Sequence, residues 1–178
     1  MENYKTSFIP ALIEETHSDL SSSLKGVSQA PFAEISTLRS SKHLKPPNDL
    51  AYQITLKSTS DGVGKYEPEA GDVIAFTNRR PRSIYDLKMT KEYCHMAYVV
   101  KSPDIFSGEI PIRISKFTAN DIENYVGSSK SQKLYAVYLL NMTTNVRIWR
   151  ALTSKLEGAD TNILKKVLKV DTTVRITK

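Results

Sequence analysis

The residue periodicity of this chain changes twice, and the change limits the folds that the chain can adopt. Apolar residues near the start recur at intervals of three and four, a spacing typical of an amphipathic helix. Between residues 32 and 140 they occur in short, mostly alternating runs, which are typical of strands. The helical spacing returns at about residue 144. The sequence therefore predicts a helix, then a series of strands, then another helix.

The first predicted helix covers about residues 8–25. One narrow apolar stripe runs along it, formed by Ile9, Ile13, Thr16, Leu20, Leu24 and Val27. Thr6 or Ser7 is expected to cap its N-terminus, and Pro10 fits the first turn, where its missing N–H costs little. Gly26 offers the conformation that commonly ends a helix. A stripe of this kind predicts that the helix packs on a neighbouring element.

Six segments between the helices have strand character. They are Phe32–Leu38, Ala51–Lys57, Asp72–Thr77, His95–Lys101, Ile110–Ser115 and Lys133–Leu140. Residues 84–93 favour neither helix nor strand. Pro111 favours an edge position for the fifth segment, whereas the sixth is apolar on both faces, as in a central strand. We therefore expect a mainly β fold of the α+β class, with a small six-stranded antiparallel barrel or a strongly bent sheet.

The C-terminal part predicts a helix at about residues 144–157, a short helix at 161–169 and a linker or tail at 171–178. In the first of these, Trp149 is expected to pack between the helix and the barrel. The two long terminal helices are expected to pack against each other as an antiparallel stalk, because a small barrel alone would not bury both apolar stripes. Residues 1–170 are then one domain of ordinary size.

Charge is unevenly distributed along the chain, which has a formal net charge of +6. Residues 1–78 hold 7 Lys or Arg and 10 Asp or Glu, a balance of −3, whereas residues 79–178 hold 18 and 9, a balance of +9. A basic half favours a polyanionic partner, because clustered Lys and Arg displace the counterions condensed on phosphate chains. A soluble protein with a basic isoelectric point and no such partner is the alternative that the charge leaves open.

An arginine-rich loop follows the third strand segment. Arg79, Arg80 and Arg82 are the best candidates for phosphate contacts, since the planar guanidinium matches a pair of phosphate oxygens. Their alternative partners are Glu67 and Glu69 in the preceding acidic stretch. The other candidate nucleic-acid contacts, which would extend this patch, are Lys88, Lys91, Lys130 and Lys133, with Tyr85 and Tyr93 as candidate base-stacking residues.

No combination of residues typical of a catalytic or metal site stands out in the sequence. A nucleotide-binding phosphate loop has the pattern GxxxxGK[ST], and Gly62-Val-Gly-Lys65 lacks the rest of it. The histidines His17, His43 and His95 are dispersed, and Cys94 has no disulfide partner or CxxC motif. We therefore expect no catalytic residue, metal or cofactor, and a reducing intracellular compartment. No apolar run approaches the roughly 20 residues that span a membrane, so no membrane partner is expected.

Three segments resemble motifs of one protein family. Phe8–Leu20 resembles the F-x-P-L-L-x-x-E-x-W helix that precedes the barrel in senataxin-like superfamily-1 helicases. Met142–Leu152 resembles the T-T-x-x-R-E-x-x-A-L helix that follows this barrel, and Gly71–Ile74 resembles the G-D-L-I strand between them. The residues of Ile13–His17 and Tyr66–Asp72 are most similar to the plant branch of this class. The segments occur in the family's order and span nearly the whole chain.

The resemblance implies a role and a parent protein. In such helicases this region is an accessory barrel on two stalk helices that helps shape the nucleic-acid channel, while RecA-like motor domains bind ATP and Mg. The chain would then be an excised domain or a truncated gene product, and not an enzyme by itself. The implied partners are the motor domains and single-stranded RNA or DNA, bound weakly by the isolated domain, and the implied location is the nucleus. The alternative is a protein-interaction module that docks a motor or another partner through its stalk helices or a sheet edge.

Overall fold

The computed structural model describes residues 2–41, 44, 50–57, 66–89, 95–101, 108–114 and 133–153. Six strands in these ranges form a closed antiparallel barrel. The strands are β1 (Phe32–Ser40), β2 (Ala51–Leu56), β3 (Asp72–Thr77), β4 (His95–Val99), β5 (Glu109–Ile114) and β6 (Leu134–Asn141). The helices are α1 (Glu2–Lys25), α2 (Ile84–Met89) and α3 (Thr143–Thr153), and a short 3₁₀ turn covers Val27–Gln29.

The barrel confirms the predicted fold class. Neighbouring strands follow the order β1-β2-β5-β4-β3-β6, and pairing of β6 with β1 closes the ring. Strand β1 pairs with two neighbours along its length. Its residues Phe32 to Ile35 pair with β6, and Ile35 and the later residues pair with β2. A register shift between Ile35 and Thr37 lies where β1 changes partner, and such irregularities bend a strand sharply.

Two apolar clusters lie on the two faces of the barrel wall. The interior cluster includes Ile54, Ile74, Phe76, Ile112 and Ala136. The outer cluster lies between the barrel and the end of α1, and it contains Val27, Val73, Ala75, Val137, Leu139 and Leu140. Strand β6 contributes to both clusters, which confirms the prediction that its two faces are apolar. Burial of the outer cluster fixes α1 and the 3₁₀ turn against β3 and β6.

The two long helices pack against each other, as predicted. The Asn145 side-chain N–H₂ donates to Thr16 Oγ1 at 2.8 Å, and the Thr16 hydroxyl donates to the Leu12 carbonyl at 2.7 Å. Near the barrel, Met142 packs against the same outer cluster as Leu24. Contacts therefore move towards the start of α1 as α3 proceeds, which is the order of an antiparallel pair.

Helix α1 differs from the prediction at its start and along its apolar stripe. It begins at Glu2, so Thr6 and Ser7 lie within the helix and Pro10 lies in its interior. The other predicted positions of the stripe are partly or fully buried, and the prediction is wrong only at Ile13, which is 53% exposed whereas its neighbour Leu12 is 7% exposed. Both residues border the same helical face, and the position of the outer cluster and of α3 decides which of them is covered.

Strand β5 is not an edge strand, contrary to the prediction from Pro111. It pairs with β2 on one side and with β4 on the other. The proline fits because the β4 ladder includes residues 112–114, so the missing N–H falls just beyond its end. The Pro111 carbonyl still accepts a hydrogen bond from the Val100 N–H at 3.0 Å.

The exposure of Trp149 also contradicts a prediction. The side chain is 43% exposed, and no described residue of α3 is buried, so Trp149 is not a buried anchor between helix and barrel in this part of the chain. The hydrogen-bonded contact of α3 with α1 is instead made by Asn145 and Thr16, while Ile148 and Trp149 stay exposed.

Several predicted features lie outside the described residues. These are the end of the predicted helix 144–157 beyond Thr153, the helix at 161–169 and the tail at 171–178. Lys91, Tyr93 and Lys130 also lie outside the described ranges. Within residues 84–93, where the sequence favoured neither structure, the chain forms α2.

Candidate functional site

An open cleft of about 610 Å³ lies between the 3₁₀ turn and the loop that follows β3. We call residues 78–83 the basic loop. The cleft is lined by Ser28, Arg79, Arg80, Pro81, Arg82 and Asp86. All three arginines of the basic loop, which are the predicted phosphate contacts, therefore line one surface.

Arg80 contacts an aromatic ring from a strand that precedes it in the sequence. Its guanidinium carbon lies 4.5 Å from the centroid of the Phe32 ring, at the start of β1. The Phe32 ring in turn meets the Tyr135 ring edge-on, with centroids 6.1 Å apart and an angle of 66°. This cation–π contact attracts the guanidinium to the ring face, and a guanidinium carries five N–H donors in a planar fork. The contact therefore restrains a hydrogen-bond donor group at the cleft.

Arg79 has an acidic neighbour. Its terminal nitrogen lies 3.7 Å from Asp86 Oδ1, and its side chain is 59% exposed. The contact is a long, solvent-exposed ion pair of the kind that contributes little to stability. The sequence offered Glu67 and Glu69 as alternative acidic partners of the arginines, and for Arg79 the partner is instead Asp86.

Asp86 fixes the basic loop to α2. Its Oδ2 accepts hydrogen bonds from the backbone N–H groups of Arg82 (2.8 Å) and Ser83 (2.9 Å). The bond from the Ser83 N–H to the Asp86 carboxylate is one half of a capping box at the start of α2. The Asp86 N–H itself donates to the Ser83 carbonyl at 3.1 Å. The Arg82 N–H, followed by the Ser83 N–H and the charge of Arg79, holds the pKa of Asp86 below its usual value. The cleft therefore contains a fixed carboxylate as well as three guanidinium groups.

The other predicted contacts are distributed differently. Tyr85 lies on α2, directly before Asp86 in the sequence, and is 69% exposed, but it is not one of the residues that line the cleft. Lys133 precedes β6, where its charge acts on Glu34, although the hydrogen bond from Lys57 is the larger cause of the lowered pKa of Glu34. Lys88 lies in α2. The three arginines thus share one cleft, Tyr85 lies on the helix that follows the basic loop, and Lys133 belongs to a separate group of charges.

Sequence reasoning missed two residues that line the cleft, Ser28 and Asp86, and it missed the contact of Phe32 with Arg80. Phe32 was assigned only to a strand, and Ser28 was given no role, because neither is near the arginines in sequence. Asp86 was missed although the spacing Ser83-x-x-Asp86 is a capping signal that precedes α2. That spacing was the available clue to the fixed carboxylate.

A second polar cluster joins the barrel to α3 and is structural. Asp72, only 4% exposed, accepts hydrogen bonds from the Tyr66 hydroxyl (2.9 Å), the Glu69 N–H (2.9 Å) and the Asn141 amide (2.8 Å). Burial, followed by the hydrogen bond to Asp72, raises the pKa of the Tyr66 hydroxyl. The Asn141 Oδ1 accepts from the Thr143 N–H at 2.9 Å, at the first residue of α3. These bonds tie the strands to the helix start and explain Asp72 and Asn141 without a ligand.

Gly71 completes this junction. Its φ of 103° is a conformation that L side chains rarely adopt. A Cβ there would overlap the Thr143 hydroxyl and lie 3.0 Å from Asn141 Oδ1. Two of the motifs that carry the family resemblance, at residues 71–74 and 142–152, therefore meet in space where the barrel joins α3.

The described part of the chain gives no sign of a metal site or of a membrane-spanning helix. No group of three or more His, Cys, Asp or Glu side chains converges among these residues. None of the helices within them has both the length and the apolar character needed to cross a bilayer.

One comparison with known proteins is informative. The family model described as a domain of unknown function, DUF6469, matches residues 1–175. The match covers the barrel, both long helices and every residue that lines the cleft. No curated protein matches the chain significantly.

Proposed function

We propose that this chain, which belongs to the DUF6469 family, is a non-catalytic accessory domain of an RNA/DNA helicase that positions single-stranded nucleic acid. The observation that carries the proposal is the cleft, where Arg79, Arg80 and Arg82 line one surface. The exposed ring of Tyr85 lies on α2, the helix that contributes Asp86 to the cleft. Guanidinium groups bind phosphate oxygens in pairs, and an exposed aromatic ring can stack on a base of any sequence.

The kind of surface favours a single strand over a duplex. A cleft that holds several arginines and a neighbouring ring can follow one phosphate chain and stack one base at a time. Duplex recognition commonly places a helix or a β ribbon in a groove, and α2 has only six residues. The balance of +9 in residues 79–178 supports a polyanionic partner in general.

The resemblance to senataxin-like helicases supports the accessory part of the proposal. In that arrangement the RecA-like motor domains would bind ATP and Mg, and this barrel would hold the strand beside them. A plant protein that acts in the nucleus fits the same resemblance. The purified chain is expected to hydrolyse no ATP, and turnover above a mock preparation that survives further purification would contradict this.

A protein-interaction module remains the second candidate, and one observation favours it. Four large apolar side chains on the long helices are exposed: Phe8 (46%), Ile13 (53%), Ile148 (42%) and Trp149 (43%). The barrel is closed, so docking through a free sheet edge has no support and this candidate depends on the helices. A motor domain is one partner that such helix faces would suit.

A salt series separates the two candidates. A fluorescently labelled single-stranded RNA and the same sequence as DNA are titrated with the chain at several salt concentrations. Phosphate contacts predict weak binding that falls steeply and linearly on a log–log plot, whereas docking through apolar faces predicts little salt dependence. No binding of either strand at low salt would contradict the nucleic-acid proposal and favour the interaction module.

A further inference from the structure

We infer that Asp86 competes with nucleic-acid phosphate for the Arg79 guanidinium. Arg79 must leave the Asp86 carboxylate before it can contribute to binding. The inference rests on the proposed function and concerns the regulation of the same cleft. It identifies Asp86 as the residue that limits the affinity of the basic loop. The ligand class is a phosphodiester chain.

The carboxylate cannot easily leave the cleft. Its Oδ2 is held by the Arg82 and Ser83 N–H groups, and it also lies 3.4 Å from the Ser83 hydroxyl. These bonds keep Asp86 at the start of α2 while Oδ1 faces Arg79. When a phosphate binds, the group that moves is therefore the Arg79 side chain.

Arg79 is suited to such an exchange. Its side chain is 59% exposed, and its distance of 3.7 Å from Oδ1 is longer than that of a strong charge-assisted hydrogen bond. Two oxygens of a phosphate can accept from its planar fork at closer range. The exchange therefore replaces a weak internal ion pair with a better one, at the cost of leaving Asp86 beside a phosphate.

The three arginines then have different roles. Arg80 is oriented by Phe32 and is ready to bind. Arg82 contributes its backbone N–H to Asp86, while its side chain is exposed at the cleft. Arg79 alone has an ion pair with the carboxylate that lines the same cleft, so its contribution depends on Asp86.

The test is a double-mutant cycle on Arg79 and Asp86. Asp86→Asn keeps an oxygen that accepts the Arg82 and Ser83 N–H groups but removes the charge. We expect it to tighten single-stranded RNA binding by about two- to five-fold, the range of an exposed ion pair. It should also steepen the log–log salt slope by about one unit, because Arg79 then makes a full phosphate contact. In an Arg79→Ala background the same change should alter affinity by less than roughly 1.5-fold.

Two controls accompany the cycle. Glu14→Gln removes one negative charge from the exposed face of α1, far from the basic loop in sequence, and should leave affinity unchanged. Circular dichroism and the thermal midpoint verify that each variant is folded. If Asp86→Asn unfolds, Asp86→Ser, which keeps a shorter acceptor, replaces it.

A second probe tests the cleft without nucleic acid. Inorganic pyrophosphate is titrated into each variant while the Arg82 and Ser83 amide signals are followed by NMR.

The outcomes separate the inference from the proposed function. If Asp86→Asn tightens pyrophosphate binding but no variant binds RNA, the competitor role stands and the nucleic-acid function fails. If the parent binds RNA and Asp86→Asn has no effect, or the same effect in the Arg79→Ala background, the competitor role is overturned and the function stands. If neither probe binds any variant, both are overturned.

Discussion

The Arg80 guanidinium lies over the ring of Phe32, with 4.5 Å between the guanidinium carbon and the ring centroid. Phe32 opens β1 and packs against the outer cluster, so the ring is part of the barrel wall. The contact therefore ties the basic loop to the barrel wall. A loop arginine that is positioned in this way loses less side-chain freedom on binding a phosphate than a freely rotating one.

Replacing Phe32 with Leu should weaken nucleic-acid binding although Phe32 itself need not touch the ligand. The change keeps an apolar residue in the outer cluster but removes the ring face under Arg80. We expect a two- to five-fold loss of RNA affinity, which corresponds to about 0.5–1 kcal/mol for an exposed cation–π contact. Phe32→Leu should cause almost no further loss in an Arg80→Ala background. Equal losses in both backgrounds would show that the stack does not position Arg80.

Gly71→Ala should destabilise the fold more than Gly108→Ala. Both glycines have positive φ, 103° and 97°, so each alanine incurs a backbone cost of about 1–2 kcal/mol. Only at Gly71 does a Cβ overlap another group, the Thr143 hydroxyl, whereas nothing lies within 4 Å at Gly108. The overlap should add about 1–3 kcal/mol, measured by urea unfolding. Equal losses at the two positions would mean that the junction relaxes freely around the added methyl group.

Tyr66 should make the fold sensitive to alkaline pH. Its pKa is raised in the folded state, whereas in the unfolded chain tyrosine titrates at about 10. The unfolded state therefore loses the proton first, so the contribution of Tyr66 is fully present below about pH 10 and is lost as the pH rises towards the folded-state pKa. Unfolding free energies between about pH 8 and 11 should fall more steeply for the parent than for Tyr66→Phe. Parallel profiles would contradict this role.

Leu12→Ala should destabilise the chain and Ile13→Ala should not. Leu12 is 7% exposed and Ile13 is 53% exposed, although the two are adjacent. Emptying a buried leucine site costs about 2–5 kcal/mol, whereas truncation at a largely exposed site usually changes stability by about 0.5 kcal/mol or less. Denaturant unfolding of both variants compares them directly. A larger loss at Ile13 would indicate that α1 presents its other edge to the rest of the domain.

The sequence was informative about the fold wherever the signal was local. Alternation along the strand segments and the apolar faces of β6 predicted six strands in a small barrel or a strongly bent sheet, because side chains of a strand point alternately to its two faces. Closure of the barrel decides between the two. Local sequence could not predict which of Leu12 and Ile13 is buried. Both border one helical face, and only tertiary packing determines which side chain is covered. Pro111 was misread for a similar reason: the end of the β4 ladder, which accommodates it, depends on pairing distant in sequence.

The candidate site was only partly predictable. Arg79, Arg80 and Arg82 are neighbours in sequence, so their density was visible at once. Ser28 lines the cleft and Phe32 contacts Arg80 only because pairing of β6 with both β1 and β3 brings distant segments together. Gly71 and Thr143 belong to two of the motifs that carry the family resemblance. The close approach of Thr143 to Gly71 gives a physical reason for glycine at position 71, because a Cβ there would overlap the Thr143 hydroxyl.

The most direct test of the proposal that the cleft binds nucleic acid is a variant in which Arg79, Arg80 and Arg82 are all replaced with Ala. Its binding to single-stranded RNA is measured over a salt series. A matched variant changes Arg39, Arg147 and Arg150, which are exposed elsewhere, so that both proteins lose three charges from a net charge of +6. We predict that the basic-loop variant binds more weakly and that its log–log salt slope is shallower by about one unit for each phosphate that the loop no longer neutralises. The matched variant should stay close to the parent in both. Equal behaviour of the two variants, or a basic-loop variant that keeps the parent's affinity and slope, would contradict the cleft as the nucleic-acid site.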